Sequence, residues 1–218
     1  WLSLQALLKL APEYSTMAVE TKIWWLLRKA QCENLLYFYQ DFEKTLTKIT
    51  PLITSKTSFE QQARYNYFEG LSLQRKGGYQ KSRQFYQRSM DFAKKENLNH
   101  LYIKAKKELA YTYSLAELFE ISLKDMQEAY LEAYALNDRF LVAIINETYG
   151  AIYGYMLEHE KSIEYYQKAL DSYESLNYKA HASEAMYGIA STYRYWKKYD
   201  LAIEYFKRYQ KHVAFTPN

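Results

Sequence analysis

Apolar, small and charged positions fall into the same order four times along this chain, in YQKSRQFYQRSM, EISLKDMQEAY, HEKSIEYYQKAL and YDLAIEYFKRYQ. Ser82, Ser122, Ser162 and Ala202 hold the equivalent small position, each 40 residues after the last. Roughly 23 residues ahead of each, a second helical pattern begins, so the repeating unit is a helical hairpin. One hairpin cannot bury its own apolar face, and a repeat of this length therefore predicts an all-α stack of hairpins.

Punctuation residues place the elements. Ser58 followed by Gln61 has the form of a capping box and opens a helix predicted to run to about Lys76. Gly77-Gly78 ends it, and a second helix is predicted over 79–95. Asn97 and Asn99 mark the next turn, followed by helices predicted over 98–116 and 118–135. Asp138 is the expected N-cap of a helix over 139–156, whose partner spans 159–175; Asn177 precedes the last pair, over 178–196 and 199–212. An irregular earlier hairpin fits 17–38 and 41–53, with Pro51 expected to kink or shorten its second helix. Residues 1–10 read as a fragment of a preceding helix. No Pro, Gly or Ser-rich linker divides the chain, which predicts one domain over 1–218: an irregular hairpin at about 17–55 and regular repeats at about 58–97, 98–136, 138–176 and 178–212.

Composition narrows the class. Six glycines and three prolines in 218 residues leave few helix breaks, and 25 tyrosines supply rings that bury area while keeping a polar tip. A formal charge of +4, spread over interspersed acids and bases, is too weak a bias for a nucleic-acid interface. Lys106/Lys107 and Lys197/Lys198 read as solvated surface. The single cysteine, Cys32, excludes an intrachain disulfide and a thiolate metal cluster, and on an apolar helix face it reads as a structural thiol. No apolar run is long enough to span a bilayer.

Inside each hairpin, small and large residues interlock. The sets are Gly70, Gly77, Tyr79, Ser82 and Tyr86; then Leu109, Ala110, Tyr113, Ser122, Met126 and Ala129. Tyr149, Gly150, Tyr153, Ser162, Tyr166 and Ala169 form the third, and Ile189, Ala190, Tyr193, Ala202 and Phe206 the fourth. This pattern resembles the tetratricopeptide repeat, and the resemblance covers about residues 17–212. It implies a right-handed superhelical solenoid of about five hairpins that binds a protein or peptide. The repeat here is 40 residues where that family has about 34, which implies lengthened helices. Such long repeats resemble bacterial peptide-sensing regulators and the sensor regions of membrane-bound GGDEF diguanylate cyclases. The segment LLRKAQCENLLYFYQDFEKTL looks like the first repeat of the latter group. That resemblance implies a periplasmic sensory region with a flanking membrane anchor and a separate output domain; a cytoplasmic setting is the alternative. Tyr209 falls where the family has alanine beneath a following helix, so a continuation past Asn218 is expected.

In that family the first helix of each hairpin lines a concave groove. Carried onto this chain, the groove positions are Arg64, Tyr67, Gln74 and Arg75; Lys104, Lys107, Tyr111 and Ser114; Glu147 and Tyr155; and Tyr187, Ser191, Arg194 and Tyr195. The implied ligand is an extended peptide or a small anion meeting Arg64, Lys104 and Lys107. A receptor for C-terminal carboxylates is not implied, because Tyr111, Thr148 and Gly188 stand where that group's asparagines and arginine would be. No catalytic constellation is present: His100, His159, His181 and His212 are scattered in turns or near helix ends, and HEKSI lacks a second histidine. Gly150 and Gly154 have membrane-dimer spacing, but flanking acids make them hairpin packing residues. No cofactor and no metal is expected. The predicted role is non-catalytic binding within a signalling protein; the alternatives are a freestanding scaffold and the binding part of a transcription regulator.

Overall fold

A computed structural model describes residues 16–214. They hold ten α-helices and one short 3-10 turn, with no strand among them. The helices are α1 (Val19–Leu35), α2 (Tyr39–Ile49), α3 (Phe59–Arg75), α4 (Tyr79–Lys95) and α5 (Asn99–Ser114), then α6 (Phe119–Ala135), α7 (Arg139–Tyr155), α8 (His159–Ser175), α9 (Lys179–Tyr195) and α10 (Tyr199–Ala214). The chain divides into two compact units, Trp1–Ala105 and Lys106–Asn218, and the division falls inside α5. The fold is all-helical, as the repeats predict. The helix expected over 1–10 lies outside the described residues.

A 20-residue cadence generates the 40-residue repeat. Most helices are 17 residues long and are joined by three-residue turns. In each turn the second residue before the next helix has positive φ: Tyr37, Gly77, Asn97, Glu117, Asn137, Leu157, Asn177 and Lys197. The amide one residue further on bonds five residues back, as in Leu98 to Ala93 (2.9 Å), Leu118 to Tyr113 (3.0 Å) and Glu158 to Tyr153 (2.9 Å). This is the Schellman arrangement, which satisfies the last carbonyls of a helix and reverses the chain. The cadence breaks once. Pro51 cannot donate to a helix ladder, so α2 stops at Ile49 and a 3-10 turn, Thr50–Leu52, takes its place.

Two capping expectations meet the structure differently. Asp138 Oδ1 accepts from the Leu141 amide at 2.9 Å. Ser58 Oγ accepts from the Gln61 amide at 3.3 Å, but Gln61 does not complete the box. Its side chain is buried and donates to the Glu20 carbonyl at 3.0 Å, tying α3 to α1.

In three successive hairpins the repeated serine is fully buried. Ser82 donates to the Gly70 carbonyl (2.9 Å), Ser122 to Ala110 (2.7 Å) and Ser162 to Gly150 (2.8 Å). So close an approach requires a small residue on the first helix. In the N-terminal unit a methyl group on Gly70 would lie 2.4 Å from the Tyr86 ring. In the C-terminal unit the Tyr166 ring fills a slot between α7 and α9, where methyl groups on Gly150 and Gly188 would meet it at 2.7 and 2.5 Å. Beyond that slot, Ala143 of α7, Leu170 and Tyr173 of α8, and Ala182, Met186 and Ile189 of α9 form a common core.

Gly150→Ala and Gly188→Ala should each lower stability by about 1–3 kcal/mol through overpacking. The readout is a lower urea midpoint at unchanged slope; an unchanged midpoint would mean that the ring has room to move. Glu117→Gly, at a left-handed turn position, should raise stability by about 1 kcal/mol in the same assay.

Candidate functional site: a tyrosine-lined cleft

In the C-terminal unit, α7, α8 and α9 enclose a cleft of about 440 Å³. Gly150, Ala151, Gly154 and Tyr155 line it from α7, and Gly188, Ser191, Thr192 and Tyr195 line it from α9. The second set is spaced i, i+3, i+4, i+7, which puts all four on one helix face. Leu157, His159, Ser162 and Tyr166 come from the intervening turn and α8, and Tyr111 from α5. Glycines at 150, 154 and 188 leave the cleft open where any side chain would narrow it.

Apart from His159, its polar side chains are hydroxyls. The Tyr111 and Tyr155 hydroxyls lie 3.0 Å apart. Burial, reinforced by that contact, pushes the Tyr111 phenol far above the ordinary tyrosine range. Burial and the nearby Glu147 charge do the same to Tyr166. On the floor, the Ser162 and Thr192 hydroxyls are 3.0 Å apart. Two polar atoms of lining residues, His159 Nδ1 and Ser191 Oγ, are buried with no hydrogen-bond partner among the described residues. The His159 ring stacks on Trp196 with centroids 5.6 Å apart.

Of the residues carried over as groove positions, the structure brings Tyr111, Tyr155, Ser191 and Tyr195 to this cleft. Glu147 lies one turn earlier on α7 and accepts from the Tyr173 hydroxyl at 2.5 Å. Tyr187 packs on Phe206 and Tyr209, each with centroids 5.6 Å away, and so covers the alanine-type position that Tyr209 occupies. Arg194 lies over the Tyr195 ring at 4.9 Å, and Ser114 Oγ donates to the Tyr111 carbonyl.

The basic positions are occupied. Arg64 pairs with Glu60 one turn away and lies over the Trp24 ring. Arg75 bonds Asn34 and stacks over Tyr39 and Phe42. Tyr67 packs against Phe68 and Tyr86, and Gln74 accepts from the Tyr86 hydroxyl at 2.5 Å. Lys107 pairs with Glu108 at 2.7 Å, and Lys104 is half-buried and engaged.

One surface expectation is overturned. Lys106 is 5% exposed rather than solvated, because its ammonium reaches Glu128 (2.7 Å) and Glu132 (3.2 Å) on α6. Those two acids are what allow its burial. Cys32 is half-buried, and burial pushes its thiol up, away from nucleophilic use.

The serine-locked hairpins define an all-helical fold of repeated antiparallel helix pairs. Residues 141–211, covering α7 to most of α10, match the tetratricopeptide repeat family. No curated protein matches the chain by sequence. Among solved structures, a Rap protein complexed with Competence and Sporulation Factor is similar with a TM-score of 0.83 at 14% identity, over 95% of this chain and 58% of that one. BtubC from P. vanneervenii is similar at 0.65 and 16% identity, over 99% and 90%. A signal-transduction STAND ATPase with a tetratricopeptide repeat sensor, from Pyrococcus horikoshii, is similar at 0.66 and 17% identity, over 92% and 31%. The chain thus spans just over half of the Rap protein and about a third of the ATPase. At these identities the likeness is one of fold. Among the described residues no helix is long and apolar enough to cross a membrane.

Hydrogen bonding and charge from Lys106 hold the Glu128 carboxyl below its ordinary 4.5. A depressed carboxyl contributes stability that is complete above the unfolded value and is lost as pH falls through the folded one. Thermal unfolding between about pH 6 and pH 3 should therefore lose less stability in Lys106→Met than in the unsubstituted chain; equal losses would dismiss the bridge.

Proposed function

We propose that this chain is a non-catalytic binding module for an extended peptide, and that the cleft between α7 and α9 takes an aromatic or aliphatic side chain of it. The observation that carries this is a tyrosine-walled cleft of about 440 Å³ with two buried polar atoms still lacking partners. Tyrosine rings anchor side chains at little entropic cost, and hydroxyls at the rim meet peptide backbone groups. A preformed, largely apolar hollow with a few convergent polar atoms is the usual form of such a site. The fold neighbour solved with Competence and Sporulation Factor lends support by analogy.

Anion binding at Arg64, Lys104 and Lys107 is the weaker alternative, because each of the three already has partners. As part of the same proposal, the module is the sensory region of a bacterial signalling protein of GGDEF type, held in the periplasm beside a membrane anchor. That finer placement rests on the resemblance of residues 26–46 alone. A freestanding scaffold would use the same cleft for a protein partner.

Panning a displayed random-peptide library against the chain should enrich sequences that share an aromatic or aliphatic residue. Tyr155→Ala, at a half-exposed position on the rim, should weaken the best binder by about tenfold or more with the helical spectrum unchanged. Failure to enrich, or binders indifferent to Tyr155→Ala, would overturn the reading.

A further inference from the structure

Outside the cleft, one cluster of side chains has the composition of a ligand set. Glu147 projects from α7, and His181 and Glu184 project from the next first helix, α9, one turn apart. One donor atom from each lies within 4.8 Å of the other two. His181 Nδ1 is 3.3 Å from Glu184 Oε2. We propose that Glu147, His181 and Glu184 bind a divalent transition-metal ion of the zinc class.

Donor chemistry selects the ion. An imidazole nitrogen with two carboxylates suits zinc and its neighbours, whereas calcium and magnesium prefer all-oxygen shells. Ligands about 2.1 Å from a tetrahedral zinc stand about 3.4 Å from one another, within reach of small side-chain rotations here. Three protein ligands leave a fourth position for water or another donor.

Charge favours a cation at this place. Neither Glu147 nor Glu184 has a lysine or arginine ion-pair partner among the described residues. Lys107, whose positive charge acts on Glu147, is itself bridged to Glu108. Two carboxylates with no lysine or arginine bonded to them leave negative charge that is only partly compensated. A divalent ion would supply that compensation.

The donors are also held in orientation. The Tyr173 hydroxyl donates to Glu147 Oε2 at 2.5 Å and fixes that carboxylate. The His181 ring stacks on Tyr173 (5.1 Å) and meets the edge of Phe140 (5.2 Å). Such supporting contacts set the direction of metal ligands and strengthen binding. The site stands independently of the peptide reading.

Calorimetric titration of the chelator-stripped chain with zinc chloride tests this, with cobalt(II) absorption as a second readout. One ion should bind per chain. His181→Ala and the isosteric Glu184→Gln should each weaken binding by more than about tenfold, and Tyr173→Phe by about tenfold. His181→Ala should also abolish the cobalt visible bands, while His100→Ala leaves both readouts unchanged. If His181→Ala fails to fold by circular dichroism, Glu184→Gln decides the matter. Absence of saturable binding, or binding untouched by Glu184→Gln, would overturn the site.

Discussion

A buried hydroxyl donating to a backbone carbonyl sets the geometry of this protein. In three successive hairpins a serine on the second helix reaches the carbonyl of a glycine or alanine twelve residues earlier on the first. The bond is modest in net energy, and its main effect is positional. It requires the two backbones to come so close that nothing larger than alanine fits, and an aromatic ring or Met126 then closes the gap beside it. At Ala202 the hydroxyl is absent, and α9 and α10 meet through ring packing and a hydrogen bond between Ser183 Oγ and His212 Nδ1 (2.9 Å). Tyr187, Phe206 and Tyr209 supply that packing.

The cleft follows from the same constraint. Gly150 is small because the Tyr166 ring crowds it, and Gly188 is small because the same ring lies against it. The slot between α7 and α9 thus satisfies packing, and its open end remains as a hollow lined with hydroxyls. Binding surface and hairpin stability share residues here. Tyr155 and Tyr195 stand apart from that crowding, since both are substantially exposed.

Much of the fold was legible because its determinants are local. Ser58 and Asp138 cap where their side-chain chemistry predicts, Pro51 ends a helix, and the repeated small residues mark the helix contacts. Long-range polar choices were not legible. Nothing near Gln61 in sequence announces a bond to Glu20, and nothing near Lys106 announces that α6 will offer it two acids. The groove positions carried over from the repeat family located four of the cleft's lining residues. They missed Tyr166 and the glycines, whose role depends on a neighbouring hairpin. The charges of Arg64, Lys104 and Lys107 suggested an anion site because sequence shows a charge and hides its partner. Glu147 and His181 sit on different helices and belong to no short motif, so only their proximity in space brings them to notice.

The even spacing of left-handed turn residues limits how this chain can change in length. Adding or removing one residue in a helix rotates everything after it by about 100° about the helix axis. Downstream, a serine meant for a carbonyl would then face water, and a tyrosine meant for a slot would strike a helix side. Only whole hairpins can be gained or lost without such phase error. Among the described residues the one tolerant stretch is 53–57, between the Pro51 turn and the Ser58 cap, where the rhythm is already interrupted. Natural length variants of this protein should differ there or by entire repeats.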